Sequence, residues 1–301
     1  MIFTKIRTTL LLLAILSVFF WNNVFAQKIE IKPADLTLNA QLQLADGKQL
    51  SDGVILLTHG TLAHNGMEII AGMQSLLAEN GLSTLAINLG LGLDNREGFY
   101  DCKVPHTHKH EDAVNEIKQW VEWLHSQGAK SIVLAGHSRG GNQTAWFASE
   151  NNLDNIDKVV LVAPMVWSFD DLNKEYKQKY KKDLKPIFNQ AQNMVKANKT
   201  ASLEHTDFIY CKDSKVLASS FISYYKNEPR MDTPFLLSKI AKPVLVIAGS
   251  EDKVVAGLIE KTKPLVDNNK IQMSVIDGAG HMFLDLYLEE LVESVIEFIE
   301  K

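Results

Sequence analysis

Two cysteines in 301 residues are too few for a disulfide-stapled miniprotein or for a zinc site built mainly on thiolates. Positive charge is also short: 31 Lys and Arg against 36 Asp and Glu give a formal charge of -5, which leaves no field to gather phosphates. With no RNA- or DNA-binding signature either, nucleic acid is not an expected partner. Internal repeats and low-complexity linkers are missing, so nothing divides the chain into independent units. What is present is apolar material, 46% hydrophobic against 22% charged, enough for one α/β domain with a full core.

The only run that approaches a membrane span lies at the start. Lys5 and Arg7 precede Leu10 to Trp21, and Val24-Phe25-Ala26 supplies a signal-peptidase site before Gln27. The run is short for a bilayer, so residues 1–26 read as a cleaved secretory signal rather than a retained anchor. The mature chain, 27–301, is then exported, periplasmic or extracellular, with no stable membrane span. An oxidising compartment permits a bridge between Cys102 and Cys211, although spacing leaves open whether they pair or remain thiols.

From Lys28 to Leu44 apolar residues partly alternate up to the Asp46-Gly47 turn, as in a hairpin leading into a sheet. Short aliphatic runs follow at Val54–Thr58, Thr84–Ile87, Ser131–Ala135, Val159–Val162, Val244–Ile247 and Ile271–Ile276. Between them lie helical patterns at Met67–Glu79, Glu111–His125, Asn142–Ala148 and Leu286–Ile299. This alternation predicts an α/β fold, a mostly parallel, doubly wound sheet covered on both faces. Residues of about 165–242 break the rhythm. Leu172, Tyr176, Tyr180, Leu184 and Phe188 recur every fourth residue, which predicts a mainly helical cap insertion interrupted or kinked at Pro186.

The most specific motif is Gly136-His137-Ser138-Arg139-Gly140-Gly141 between a strand and a helix. Glycines two residues either side of a serine let the chain turn sharply and lift the hydroxyl above the sheet, so Ser138 is the candidate nucleophile. With it the chain resembles the α/β-hydrolase superfamily over nearly all of its mature length, in the esterase/lipase or serine-aminopeptidase-like branch. Three further matches support the resemblance. His59-Gly60-Thr61 is similar to the loop in which a backbone N–H joins that of the residue after the nucleophile, which implies an oxyanion hole of Thr61 and Arg139, with His59, Gly60 and His137 near the substrate. Asp252, in Gly249-Ser250-Glu251-Asp252 after a buried strand, is the candidate acid, ahead of Glu251 and of Asp170. His281, in Gly278-Ala279-Gly280-His281, is the candidate base. Ser138, Asp252 and His281 follow the superfamily's chain order.

The resemblance implies a serine hydrolase acting on a small-molecule acyl substrate, with no cofactor and no metal. Carboxylic ester hydrolysis is the favoured reaction, an aminopeptidase or amidase the alternative, and a non-catalytic envelope binding protein the rival from another class. His106-Thr107-His108-Lys109-His110 has no partner at a zinc spacing and reads as a polar loop close to the active-site mouth, with His106 or His108 within reach of substrate. Lys174, Lys177, Lys179, Lys181, Lys182 and Lys185 read as a solvated face, and Trp167, Phe169, Tyr176 and Tyr180 as packing within the cap. Oligomeric state is not legible.

Overall fold

Six short runs, aliphatic throughout in the inner strands and alternating only at the edge in Ile271–Ile276, form the parallel body of one sheet with helices covering both faces. The computed structural model describes residues 26–301, so the expected signal segment, apart from Ala26, lies outside the described residues. The chain begins with an antiparallel hairpin, β1 (Gln27–Ile31) and β2 (Leu38–Gln43). Next come β3 (Val54–Thr58), α1 (Glu68–Glu79), β4 (Thr84–Asn88), α2 (Asp112–Ser126), β5 (Ile132–His137), α3 (Arg139–Glu150) and β6 (Ile156–Val162). The cap comprises α4 (Phe169–Tyr180), α5 (Leu184–Ala197), β7 (Ser202–Phe208), β8 (Cys211–Leu217), α6 (Ala218–Tyr225) and α7 (Thr233–Leu237). The chain ends with β9 (Val244–Gly249), α8 (Leu258–Thr262), β10 (Ile271–Ile276) and α9 (Leu286–Glu300).

The eight-stranded sheet runs β1-β2-β4-β3-β5-β6-β9-β10, antiparallel only at β1-β2 and β2-β4. Its α2 flank is tied down by Ile117, Trp120, Val121 and Leu124, buried at helical spacing. Register decides where chemistry can occur. Thr58 sits beside Gly136, His137 beside Val162, Val162 beside Ile247 and Gly249 beside Ile276. The carboxyl ends of these strands are level, so their loops emerge on one edge.

The cap has its own apolar cluster, centred on Phe208, Phe221 and Tyr225, with Tyr176 and Tyr180 in it, while Phe169 stays exposed. Its expected all-helical character is corrected by the antiparallel hairpin β7-β8. The hairpin turns on Ile209-Tyr210, without glycine or asparagine, and Ile209 holds a φ of 53° that a β-branched residue rarely adopts. Bonds hold it there: its N–H donates to the Tyr225 hydroxyl at 2.9 Å, and its carbonyl accepts Lys179 Nζ at 2.9 Å and the Tyr180 hydroxyl. Pro186 does not kink a helix. It lies in the first turn of α5, where its missing N–H has no intrahelical role, and the break falls earlier, at the left-handed Lys181 that ends α4.

Cys102 and Cys211 are bridged, with Cα atoms 5.3 Å apart, joining the loop after β4 to the hairpin. That loop runs along β8 as a partial third strand: His106 N–H donates to the Lys215 carbonyl and Leu217 N–H to the His106 carbonyl, each at 2.8 Å. The expected polar loop is therefore corrected to a buried one. His106, His108 and His110 are all enclosed beneath the cap, with the His106 ring stacked on Tyr100 at 4.6 Å. His106 Nδ1 lies 3.2 Å from His108 Nε2, and His108 Nδ1 lies 2.8 Å from the Tyr224 hydroxyl. His110 Nε2 donates to Asn142 Oδ1 at 3.0 Å, which leaves Nδ1 to accept from Arg139 at 3.1 Å. Burial pushes His106 down to about 4 and His108 to about 3, with His110 also well below the ordinary value, so all three are neutral at pH 7. Among the described residues no group of three His, Cys, Asp or Glu is arranged to hold a metal, and no helix is long and apolar enough to cross a membrane.

Candidate active site

Ser138 occupies the tight turn between β5 and α3 with φ 59° and ψ -123°, a conformation side chains avoid. The flanking glycines make it possible. A Cβ on Gly136 would lie 2.6 Å from the Gly140 carbonyl oxygen, and one on Gly140 would lie 2.2 Å from that of His59. The main chain anchors the turn through Ser138 N–H to the Val162 carbonyl and Met165 N–H to the Ser138 carbonyl, both 2.9 Å.

His281 reaches this turn from the loop after β10, its Nε2 2.9 Å from Ser138 Oγ, while its Nδ1 lies 2.7 Å from Asp252 Oδ2. Asp252 Oδ1 accepts the N–H groups of Val254 at 2.8 Å and Val255 at 3.3 Å, which fixes the carboxylate. Burial by itself would push the Asp252 carboxyl up. The His281 hydrogen bond and the two N–H donors outweigh that and hold it below the usual carboxylate value. An ionised Asp252 directs the Nδ1 proton toward itself and leaves Nε2 free to accept from Ser138. Glu251 and Asp170 are both exposed, and neither contacts His281.

Thr61 and Arg139 face this serine from two loops. Arg139 is the first residue of α3, whose N–H has no intrahelical acceptor, and among the described residues Thr61 N–H donates to no backbone carbonyl. Their side chains are clasped, Arg139 Nε donating to Thr61 Oγ1 at 3.0 Å. Gly60, Thr61, His137, Ser138 and His281 line a cavity of 360 Å³ with Met67, Phe99, Tyr100, Tyr210 and Met282.

His59 is not in its lining, which corrects its assignment to substrate. Its ring is fully buried, Nδ1 lies 2.9 Å from the Gly60 carbonyl, and Nε2 accepts the Leu89 N–H at 3.0 Å. Burial and the neighbouring Arg96 push it down to about 3, so it braces the His-Gly loop as a neutral ring. His137 reaches the cavity wall and positions the His281 loop, since its Nε2 donates to the His281 carbonyl at 2.9 Å. Sequence reasoning missed Arg96, a buried guanidinium donating to the Leu89, Gly98 and Ala63 carbonyls and to Asn88 Oδ1. It also missed Tyr210, which lines the cavity from the unexpected hairpin. No spacing signal in the sequence marks either one.

Residues 49–285 match the family described as Serine aminopeptidase, S33. The chain belongs to that family. A Mycoplasma pneumoniae protein named "Putative esterase/lipase 2" is 26% identical over 239 residues, covering 66% of this chain and 80% of its own length. Among solved structures, Est1E from Butyrivibrio proteoclasticus superposes with a TM-score of 0.63 at 19% identity, covering 90% of this chain and 97% of its own. The Pyrococcus furiosus esterase Pf2001 gives 0.59 at 18% identity, covering 91% and 89%. At these identities the superpositions speak for the fold alone. This S33 member is an α/β-hydrolase, esterase/lipase-like and of the serine hydrolase class, as the motifs implied.

Proposed function

We propose that the protein is an exported carboxylic ester hydrolase in which Ser138 is the nucleophile, His281 the general base and acid, and Asp252 the residue that orients His281. The observation that carries this reading is the two-sided bonding of His281, to Ser138 Oγ at 2.9 Å and Asp252 Oδ2 at 2.7 Å. His281 Nε2 takes the Oγ proton as Oγ bonds to the ester carbonyl carbon. The carbonyl oxygen, now negative, accepts the N–H groups of Thr61 and Arg139, a contribution of about 2.7–4 kcal/mol per donor. The C–O bond breaks and the alcohol leaves with the proton held by His281. Water, deprotonated by the same nitrogen, then cleaves the acyl-enzyme and regenerates Ser138.

The family description brings an aminopeptidase into consideration. Such an enzyme needs a carboxylate beside the serine to hold a substrate's ammonium group, and among the described residues none lines the 360 Å³ cavity. Its apolar wall of Leu62, Ala63, Met67, Phe99 and Met282 favours an ester. Export rests on the N-terminal segment and on the Cys102–Cys211 bridge, which an oxidising compartment preserves.

A fluorophosphonate probe is expected to label the wild type and not Ser138→Ala, with hydrolysis of 4-nitrophenyl esters lost in parallel. A folded wild type that neither reacts with the probe nor cleaves any ester would leave the binding-protein reading in its place.

A further inference from the structure

A second cavity, of 140 Å³, adjoins the catalytic one. Tyr210 lines both, and the Arg139 side chain lies between them, clasped to Thr61 on the catalytic side and lining the second cavity on the other. The second cavity is enclosed by Trp167, Tyr176, Tyr224 and Tyr225, with Glu175 and Lys179 on α4 at its exposed rim.

The electrostatics of this cavity are unbalanced. Both acceptors of Arg139, Thr61 Oγ1 and His110 Nδ1, are neutral, and its guanidinium carbon lies 5.2 Å from the Tyr224 ring centre. Lys179 donates only to the Ile209 carbonyl and lies 4.1 Å from the Tyr210 ring centre. Among the described residues neither cation has an ion-pair partner, and Glu175 pairs with neither. The buried Trp167 Nε1 on the same wall has no acceptor. Two cations and an unused N–H donor against a single carboxylate fit a ligand that supplies anionic oxygens.

Placement relative to His281 decides which part of a substrate enters. A leaving group must stay within reach of His281 Nε2 to take its proton, and His281 lines the catalytic cavity but not the second. The second cavity lies on the Thr61 and Arg139 side, where the acyl carbonyl would be held, and its 140 Å³ leaves room for a short arm only.

We propose that the Arg139 side chain, with Lys179 at the rim, binds a carboxylate at the far end of the acyl chain, so that the preferred substrates are esters of short dicarboxylic acids. This rests on the hydrolase reading above, and it adds a substrate class to that reading.

The test compares kcat/KM for 4-nitrophenyl hydrogen glutarate with that for the neutral 4-nitrophenyl hexanoate. The wild type is expected to prefer the anionic ester by about tenfold or more, the range of a charge-assisted hydrogen bond. Arg139→Gln, which keeps the backbone N–H, is expected to abolish the preference, and Lys179→Gln to reduce it severalfold. Should Arg139→Gln not fold, competitive inhibition of hexanoate hydrolysis by free glutarate in the wild type, weakened in Lys179→Gln, is the required result. No preference in the wild type, or one unchanged in both variants, overturns the proposal.

If neither ester is cleaved, the hydrolase reading is the one in trouble. Glutarate binding, followed by tryptophan fluorescence, then judges the subsite by itself. Binding that vanishes in Arg139→Gln sustains it, and no binding ends it.

Discussion

Acidification from pH 7.5 to 5.0 is expected to remove at least about 6 kcal/mol of folding stability, a large share of the roughly 5–15 kcal/mol a typical domain possesses, before the further loss from His110. The cause is a set of enclosed imidazoles. His59, His106, His108 and His137 are each at most 2% exposed, and burial holds them at about 3, 4, 3 and 3. Because these folded values lie below the ordinary 6.5, the unfolded chain takes up protons first. Their contribution is complete above pH 6.5 and is lost as pH falls toward 4. Each side chain accounts for about 2 kcal/mol at pH 5, about 8 kcal/mol for the four. One group works in the opposite direction. Burial raises the Glu116 carboxyl to about 7 despite the Gly90 N–H it accepts, so the folded chain binds that proton first and regains about 2 kcal/mol. Urea unfolding followed by circular dichroism at half-unit pH steps is expected to show stability falling with a slope of about three protons between pH 6 and 5. A stability that stays level or rises from pH 7.5 to 5.0 would refute the claim that these rings are buried and neutral.

Asp252→Asn is expected to lower kcat by about four orders of magnitude through loss of the productive His281 tautomer, with the thermal midpoint little changed. Replacing both cysteines, which lie 109 positions apart, by serine is expected to cost up to about 5 kcal/mol, read as a drop in urea midpoint with a steeper slope because the unfolded chain expands. Gly140→Ala drives a Cβ to 2.2 Å from the His59 carbonyl oxygen and 2.7 Å from that of Thr58, both backbone atoms, so poor folding or a cost of about 3 kcal/mol is expected. Gly280→Ala meets nothing within 4 Å and serves as the tolerated control in the same melting experiment.

The inner parallel strands were legible because burial on both faces leaves an uninterrupted aliphatic run, as at Val54–Thr58, which coincides with β3, while the edge strand β10 at Ile271–Ile276 was legible from its alternation. Ser138, Asp252 and His281 were legible for a related reason. Each lies just past such a run, and parallel register brings run ends together. The cap hairpin was not, because its strands carry Glu204, His205, Lys212, Asp213 and Lys215, and its turn uses a strained isoleucine stabilised by Lys179, Tyr180 and Tyr225, far away in sequence. The histidines of the 106–110 segment misled in the opposite sense. Alternating imidazoles read as solvated until Tyr224, Asn142 and β8 close over them, and those partners come from other parts of the chain.

The bond between Cys102 and Cys211 acts on the cavity wall and not on the Ser138, His281 and Asp252 cluster. Ser138, His281 and Asp252 sit on sheet loops and need only folding to meet. The cavity wall bearing Tyr210 hangs on a hairpin whose first strand-two residue is Cys211, while Cys102 lines the same cavity from the opposite loop. Without the bridge, Ser138 and His281 can therefore be in place while the cavity wall bearing Tyr210 is held by noncovalent contacts alone. The bridge thus fastens the two opposing sides of that wall, the loop bearing Cys102 and the hairpin bearing Tyr210, by a covalent bond rather than by packing alone.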